Sequence, residues 1–486
     1  MSPIAVIITI IAYFVILFTV SYIAGRKADN AGFFVGNRKS SWYVVAFAMI
    51  GSSISGVTYV SVPGMVAVSG FGYLQMVMGF VTGQFIIAFV LVPLFYKMNL
   101  ISIYEYLENR FGISSYRTGA WFFFISKMLG AAVRLFLVCL TLQLLVFDPM
   151  DLPFILNVII TVSLVWFYTF RGGVKSLIWT DSLKTFCLVV SVVLCIFYIA
   201  SDLNLSFTGM IKTVASNDMS RIFFFDDVNS KQYFFKQFLA GVFTMIAMTG
   251  LDQDMMQRNL SCKNFKDSQK NMITSGVFQL VVIFMFLVLG TLLYTFAANE
   301  HIQVTKGDQL FPVIATGNYL PVIVGILFIV GLISSAYSAA GSALTALTTS
   351  FTVDILGTKG KEEKEIVKMR KRVHIGMAAV MGIVIFVFNI LNNTSVIDAV
   401  YILASYTYGP ILGLFTFGIL MKQPVRDKYI PLVAIASPIL CFILQKNSVA
   451  WFNGYQFSYE LLIFNALFTF SGLCLLIKKE EKKHLT

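Results

Sequence analysis

The sequence predicts an all-α polytopic membrane protein, and three features predict it. Its 486 residues are 58% apolar and only 12% charged, where soluble domains carry about 25% charged residues. The apolar residues collect in thirteen runs, each close to the roughly 20 residues that a helix needs to cross a bilayer. The loops between the runs alternate between rich and poor in Lys and Arg, as the two sides of a multi-span protein do.

The runs fall near 4–24, 41–68, 73–96, 117–147, 152–170, 179–200, 233–256, 271–297, 320–352, 373–391, 396–420, 429–445 and 459–477. The first has no positive charge before it and is long enough to span, so it reads as a retained helix and not a cleaved signal peptide. Run 41–68 is interrupted at its centre by Gly51-Ser52-Ser53-Ile54-Ser55-Gly56-Val57-Thr58, with Pro63 just beyond. Glycine weakens a helix and proline removes a backbone donor, so this run predicts a helix broken at mid-membrane. Unpaired backbone at that depth is tolerated only where it is buried or lines a cavity. The break is therefore a candidate site for an ion and a solute. Run 117–147 carries Lys127 and Arg134, seven residues apart and hence on one helical face. Run 179–200 opens on Trp179-Thr180-Asp181, and run 233–256 ends on Thr244, Thr249, Gly250, Asp252 and Asp254, with Gly250 a candidate second break. Run 320–352 centres on Ser334-Ser335-Ala336-Tyr337-Ser338-Ala339-Ala340-Gly341-Ser342. The remaining runs are predicted as plain spanning helices on length and apolarity.

The loops give orientation. Arg26, Lys27, Arg38 and Lys39, then Lys97 and Arg110, then Arg171 and Lys175, then Arg258, Lys263, Lys266 and Lys270 belong to the rich set. So do the segment from Lys359 to Arg372, then Lys422, Arg426 and Lys428, and the tail Lys478, Lys479, Lys482 and Lys483. The positive-inside rule places these in the cytoplasm of an inner or plasma membrane protein, with the N-terminus outside and the C-terminus inside. The net charge of +12 is then a topology signal and not a nucleic-acid arm. The six cysteines show no paired spacing, so neither a zinc site nor a disulfide framework is expected. His301, His374 and His484 are expected at loops or helix ends and show no metal spacing. No GxxxxGK[ST] pattern occurs, which leaves ATP-driven transport unsupported. Nothing in the chain calls for a cofactor or an obligate protein partner.

A mid-membrane arginine costs at least about 2.5–3.5 kcal/mol and needs a partner. Arg134 is read either as an anchor for an anionic solute or as one half of an ion pair with Asp252. Lys127, nearer the cytoplasm, is expected on an inner water-filled path or snorkelling. Asp181 faces a cavity or a cation, or pairs locally with Lys184. Asp252 and Asp254 are expected as solvated helix caps. The serines of run 320–352 are either packing positions for close helices or neutral oxygen ligands for a small hard cation.

Taken together the motifs resemble the sodium:solute symporter family, whose members carry sugars, sialic acid, proline, pantothenate or iodide. The resemblance rests on Tyr168-Thr169-Phe170-Arg171-Gly172-Gly173 with Trp179-Thr180-Asp181, and on Asp254 with Gln257-Arg258. It rests also on Ile103-Tyr104-Glu105-Tyr106-Leu107, on Asp308 with Phe311-Pro312 and Leu320-Pro321, and on the serine-rich run ending Asp354-Ile355-Leu356. It implies a LeuT-like core of two inverted five-helix repeats, here 41–200 and 233–420. One helix, 4–24, precedes them and two, within 429–477, follow.

The resemblance also implies roles. Sodium would be held by the carbonyls of Gly51 and Ile54 and by Ser335, Ser338 and Ala339, where relatives commonly have Ser or Thr in place of Ala339. A second sodium would lie near Asp181, Ser338 and Ser342, with Gly341 lacking a hydroxyl. The solute would meet Ser53, Ser55, Thr58, Arg134 and Thr249. Segment 55–63 is more similar to the sialic-acid transporters than to the galactose type, which points to a sugar acid or another small polar anion. The implied activity is sodium-coupled secondary active import, with no enzymatic step. Two other readings stay open: proton-coupled symport with Asp181 titrating, and a sensor that binds solute without turnover.

Overall fold

The computed structural model describes residues 3–25, 40–98, 103–169, 174–356, 362–391 and 396–478. Phe170 to Gly173 of the quoted motif lie outside these residues, as do Arg26, Lys27, Arg38, Lys39, Lys359, Lys361 and the tail after Lys478. Among the described residues there are helices and two isolated bridges, but no strand.

The chain begins with α1 (Pro3–Gly25) and then the broken pair α2 (Trp42–Ser53) and α3 (Gly56–Ser69). Next come α4 (Tyr73–Met98), the short α5 (Glu105–Arg110) and α6 (Ile113–Leu142). α7 (Phe154–Thr169), α8 (Val174–Asp202) and the amphipathic α9 (Phe207–Ala215) complete the first half. The second half opens on another broken pair, α10 (Phe234–Gly250) and α11 (Gln253–Asn259). It continues with α12 (Phe265–Asn299), the short α13 (Leu310–Thr316), α14 (Val322–Ser350) and α15 (Glu363–Leu391). A third bent pair follows, α16 (Val396–Thr407) and α17 (Gly409–Leu420), before α18 (Ile430–Trp451) and α19 (Leu461–Leu475).

Seven helices are long and apolar enough to cross a membrane alone, or ten spans if each bent pair counts as one. The pairs bend by 58°, 75° and 46° in chain order. The other expected runs, near 4–24, 152–170 and 459–477, coincide with the shorter apolar helices Ile4–Val20, Phe154–Phe167 and Leu461–Leu475. Apolar faces of the outer helices stay exposed: Ile8, Ile383, Leu432 and Phe442 are each more than half accessible, as lipid-facing positions are.

Close backbone approach sets the site's geometry. α4 and α10 meet at Gly79 and Gly241: a Cβ on Gly79 would run into the Phe238 carbonyl, and one on Gly241 into the Met76 carbonyl. Small residues at such crossings let helices pack without a hydrophobic driving force. Gly241→Val is expected to destabilise the protein by about 1–3 kcal/mol through overpacking, read as a lowered Tm in detergent; an unchanged Tm would mean that α4 and α10 are free to part. Above the first break, Tyr59 of α3 is fully buried. Its ring packs on Phe286 and Phe311 at 5.4 Å each and on Phe328 at 5.8 Å. Its hydroxyl and that of Ser191 on α8 hydrogen-bond at 2.8 Å.

One histidine departs from expectation. His374 lies inside α15 and is buried. One ring nitrogen, Nε2, is 2.9 Å from the Thr169 hydroxyl and the other, Nδ1, is 2.8 Å from the Thr348 hydroxyl. It ties α7, α14 and α15 together, which gives Thr169 of the quoted motif a structural role.

Candidate solute and ion site

The first break is where the sequence expects it. Ile54 has φ −90° and ψ 106°, and Ser55 has φ −97° and ψ 173°, so two residues are extended between two helical halves. The Ile54 N–H still donates to the Ile50 carbonyl at 2.9 Å, and the Tyr59 N–H to the Ser55 carbonyl at 3.1 Å. Among the described residues no backbone N–H reaches the carbonyls of Gly51 or Ile54. Gly51 packs against α8 so closely that a Cβ would collide with the Thr185 hydroxyl.

The second break follows Gly250, at Leu251 and Asp252. Asp252 is extended (φ −97°, ψ 119°) and caps α11, its carboxylate accepting from the Met255 N–H at 3.1 Å. Segment 103–107 steadies this break. The Tyr104 hydroxyl donates to the Leu251 carbonyl at 2.9 Å, and the Ile103 N–H donates to Gln253 Oε1 at 2.8 Å. That is a physical reason for the Ile103 to Leu107 motif, which the sequence alone left unexplained.

Between the breaks lies a cavity of about 110 Å³. Ser53, Ser55, Thr58, Arg134 and Thr249 all line it, so the fold brings the five expected solute residues into one space from α2, α3, α6 and α10. Ala339 and Ser342 of α14 line it too. The Ser342 hydroxyl is buried and has no hydrogen-bond partner among the described residues. Ser335 is fully buried and faces Gly56, its hydroxyl donating back to the Leu332 carbonyl at 2.8 Å. The side chain of Ser338 lies outside the described residues.

The charges do not form the two pairs that the sequence offered, Asp181 with Lys184 and Arg134 with Asp252. Lys127 is buried and bonds both carboxylate oxygens of Asp252, at 3.0 and 3.1 Å, and Asp254 at 3.2 Å. It lines the cavity with its charge held by the two carboxylates, and so does not snorkel. Asp252 does cap a helix, but it is buried and not solvated; the Tyr408 hydroxyl donates to it at 2.9 Å. Asp181 does not pair with Lys184. Its carboxylate accepts from Arg258 at 2.7 Å and from the Ser52 hydroxyl at 3.2 Å. Arg258 also reaches Asp254 at 3.3 Å and bonds Ser52. Three carboxylates thus face two cations at one end of the cavity. Arg258 and Ser52 hold the carboxylate that the expected second sodium site would use.

Because Lys127 takes Asp252, the alternative Arg134–Asp252 pair does not form. Arg134 is half-buried, lines the cavity, and among the described residues has neither an ion-pair nor a hydrogen-bond partner. The Lys127–Asp252 and Arg258–Asp181 pairs join residues 125 and 77 positions apart, so no local spacing reveals them. The available signal is that charges at membrane depth pair with one another.

The opposite end of the cavity is closed by tyrosines. The Tyr73 and Tyr401 hydroxyls hydrogen-bond at 2.6 Å, and the Tyr401 ring packs on Tyr459 at 5.0 Å. Beyond them lies a second cavity of about 470 Å³, with Ser61, Lys231, Lys306 and Asp308 in its wall. Tyr401→Phe removes one hydrogen bond, about 0.5–1.5 kcal/mol. It is expected to speed the loss of bound ligand by roughly two- to tenfold, measured as a dissociation rate; an unchanged rate would mean the pair is no barrier.

Two broken helices facing one polar cavity, among helices long and apolar enough to cross a membrane, are the arrangement of a secondary transporter. The fold agrees. It superposes on the substrate-bound, outward-open structure of a Na⁺-coupled sialic acid symporter with TM-score 0.82, over 97% of both chains at 18% identity. It superposes on a closed nucleobase-cation-symport-1 family transporter with TM-score 0.53, over 93% of this chain and 94% of that one at 14% identity. The expected LeuT-like fold class is thereby shown.

The chain belongs to the sodium:solute symporter family, whose model matches residues 33–427. It is 25% identical to the sodium/sialic acid symporter NanT of Aliivibrio fischeri, over 83% of this chain and 80% of that one. It is 24% identical to SiaT of Proteus mirabilis, over 83% and 82%. It is also 24% identical to the human sodium/iodide cotransporter, over 82% of this chain and 62% of the relative. The chain is a multi-pass membrane transporter and not an enzyme.

Proposed function

We propose that this protein is a sodium-coupled symporter that imports a small organic anion. The observation that carries the reading is Arg134, an unpartnered guanidinium lining a cavity that also holds Ser53, Ser55, Thr58 and Thr249. A guanidinium presents a planar fork of donors that suits a carboxylate, and the four hydroxyls suit the rest of a polyhydroxylated acid. Sodium would bind at the unpaired carbonyls of Gly51 and Ile54 together with Ser335 and Ser338, and join α2 to α14. Ala339 contributes no side-chain oxygen there. The second sodium, near Asp181, Ser338 and Ser342, is supported by the orphan Ser342 hydroxyl.

The halves 41–200 and 233–420 are read as the two inverted repeats, each opening on a broken pair. The basic loops put the N-terminus outside and the C-terminus in the cytoplasm. The Tyr73–Tyr401 side of the cavity then faces outward. Sodium entry pre-organises the solute site, and the two ligands tighten each other equally. One cation moving through about 100 mV supplies about 2.3 kcal/mol, or roughly fifty-fold accumulation.

Relatives named for sialic acid, monocarboxylates and iodide set the screen. Reconstituted protein should accumulate one of these anions when a sodium gradient alone is imposed. Accumulation under a proton gradient alone would favour proton coupling instead. Binding without accumulation under either gradient would favour a sensor.

A further inference from the structure

Lys184 takes part in none of this. It is 0% exposed, deep in α8, and its Nζ has no hydrogen-bond partner among the described residues. The acidic groups near enough to act on it are Asp181 and Asp254, both already held by Arg258. The other nearby charges, Arg258 and Arg134, are positive. A buried ammonium with no acceptor is costly, so its position needs a reason.

Helix register supplies one. Ser191 lies seven residues beyond Lys184, two turns along the same face. Ser191 bonds Tyr59, and its hydroxyl fills the space where a Cβ on Gly331 would project. Two turns down from that level, about 10.5 Å, lies Lys184. The equivalent step down from Tyr59 reaches the break at Gly51 to Ile54, and Thr185, the next residue to Lys184, does touch Gly51. α14 runs antiparallel to α3, since Gly56 faces Ser335 and Ala336 while Tyr59 faces Gly331. Seven residues on from Gly331 is Ser338, followed by Ala339. Lys184 therefore stands level with the unpaired carbonyls of the break and with Ala339, which offers no side-chain oxygen.

We propose that Lys184 is a resident positive charge beside the cation cradle of the broken helix, which partly stands in for sodium when the cradle is empty and weakens sodium binding when it fills. The inference rests on the sodium-coupled reading above and adds an internal competitor to it. It also accounts for Ala339. A cradle that already has an ammonium next to it keeps its carbonyls organised with one oxygen fewer.

The test uses the purified full-length protein, titrated with sodium chloride against choline chloride at constant ionic strength, with binding read by calorimetry and by Tm. Lys184→Met is expected to bind sodium roughly tenfold more tightly or better, because a like charge near the site is removed. Lys184→Gln serves the same purpose if the methionine variant does not fold. Lys184→Arg keeps the charge and is expected to bind sodium no more tightly than the natural protein. If the natural protein binds sodium and the neutral variants bind it no more tightly, this inference alone fails. If neither the natural protein nor the neutral variants bind sodium, it fails together with sodium coupling.

Discussion

Arg134→Ala is expected to weaken binding of the anionic solute by roughly a hundredfold at saturating sodium. Truncating one partner of a buried, hydrogen-bonded charge pair costs about 2–5 kcal/mol, and each 1.4 kcal/mol is about tenfold. The effect should exceed that at any hydroxyl of the cavity, because a lost neutral hydrogen bond is worth only about 0.5–1.5 kcal/mol. Arg134→Lys keeps the charge but loses the planar fork, and should fall between the two. Sodium affinity measured without solute should change far less than solute affinity in both variants, since among the described residues Arg134 makes no hydrogen bond to the broken backbone. Solute affinity that survives Arg134→Ala would remove the residue from the site.

The second large effect is on stability. Arg258→Met is expected to destabilise the protein by about 3–5 kcal/mol, because it leaves the buried Asp181 carboxylate without its cation. The contact is 2.7 Å and the side chains are 3% and 1% exposed, so water cannot substitute for the guanidinium. The double variant Arg258→Met with Asp181→Asn should recover much of the loss, as a buried pair replaced whole is often close to neutral. Tm in detergent reads both effects. A single variant as stable as the natural protein would mean that Asp181 finds another cation, which would revive it as the titrating group of a proton-coupled cycle.

The fold was largely legible because its signals are local. Apolar run length marks the spans, and the glycines and serines of 51–58 mark the break within a few residues. Gly250 likewise marks the second break one residue early. Basic loops are read without knowing any contact. The candidate site was legible in its residue types, and the structure gathers Ser53, Ser55, Thr58, Arg134 and Thr249 around one cavity as the motifs suggested. Its wiring was not legible. Local spacing offers Lys127 an inner water-filled path or a snorkelling position, and offers Asp181 a cavity, a cation or the lysine three residues on. The partners themselves, two carboxylates for Lys127 and Arg258 for Asp181, arise because α6, α8 and α11 converge. Tyr73 and Tyr401, 328 residues apart, carry no sequence mark at all.

The division follows from the solvent. In a bilayer a backbone group facing lipid must be satisfied within its own helix, so where helices start, stop and break is written in short stretches of chain. Helix-to-helix partnering has no such local rule. Which carboxylate takes which cation depends on how backbones approach, at Gly79 and Gly241 or at Gly51 and Thr185, and on what is left over once the strongest pairs have formed. Among the described residues, two cations near the breaks are left over. Arg134 faces the cavity and Lys184 stands behind the broken helix, and only the packed bundle distinguishes them from the lysine and arginine that are already spoken for.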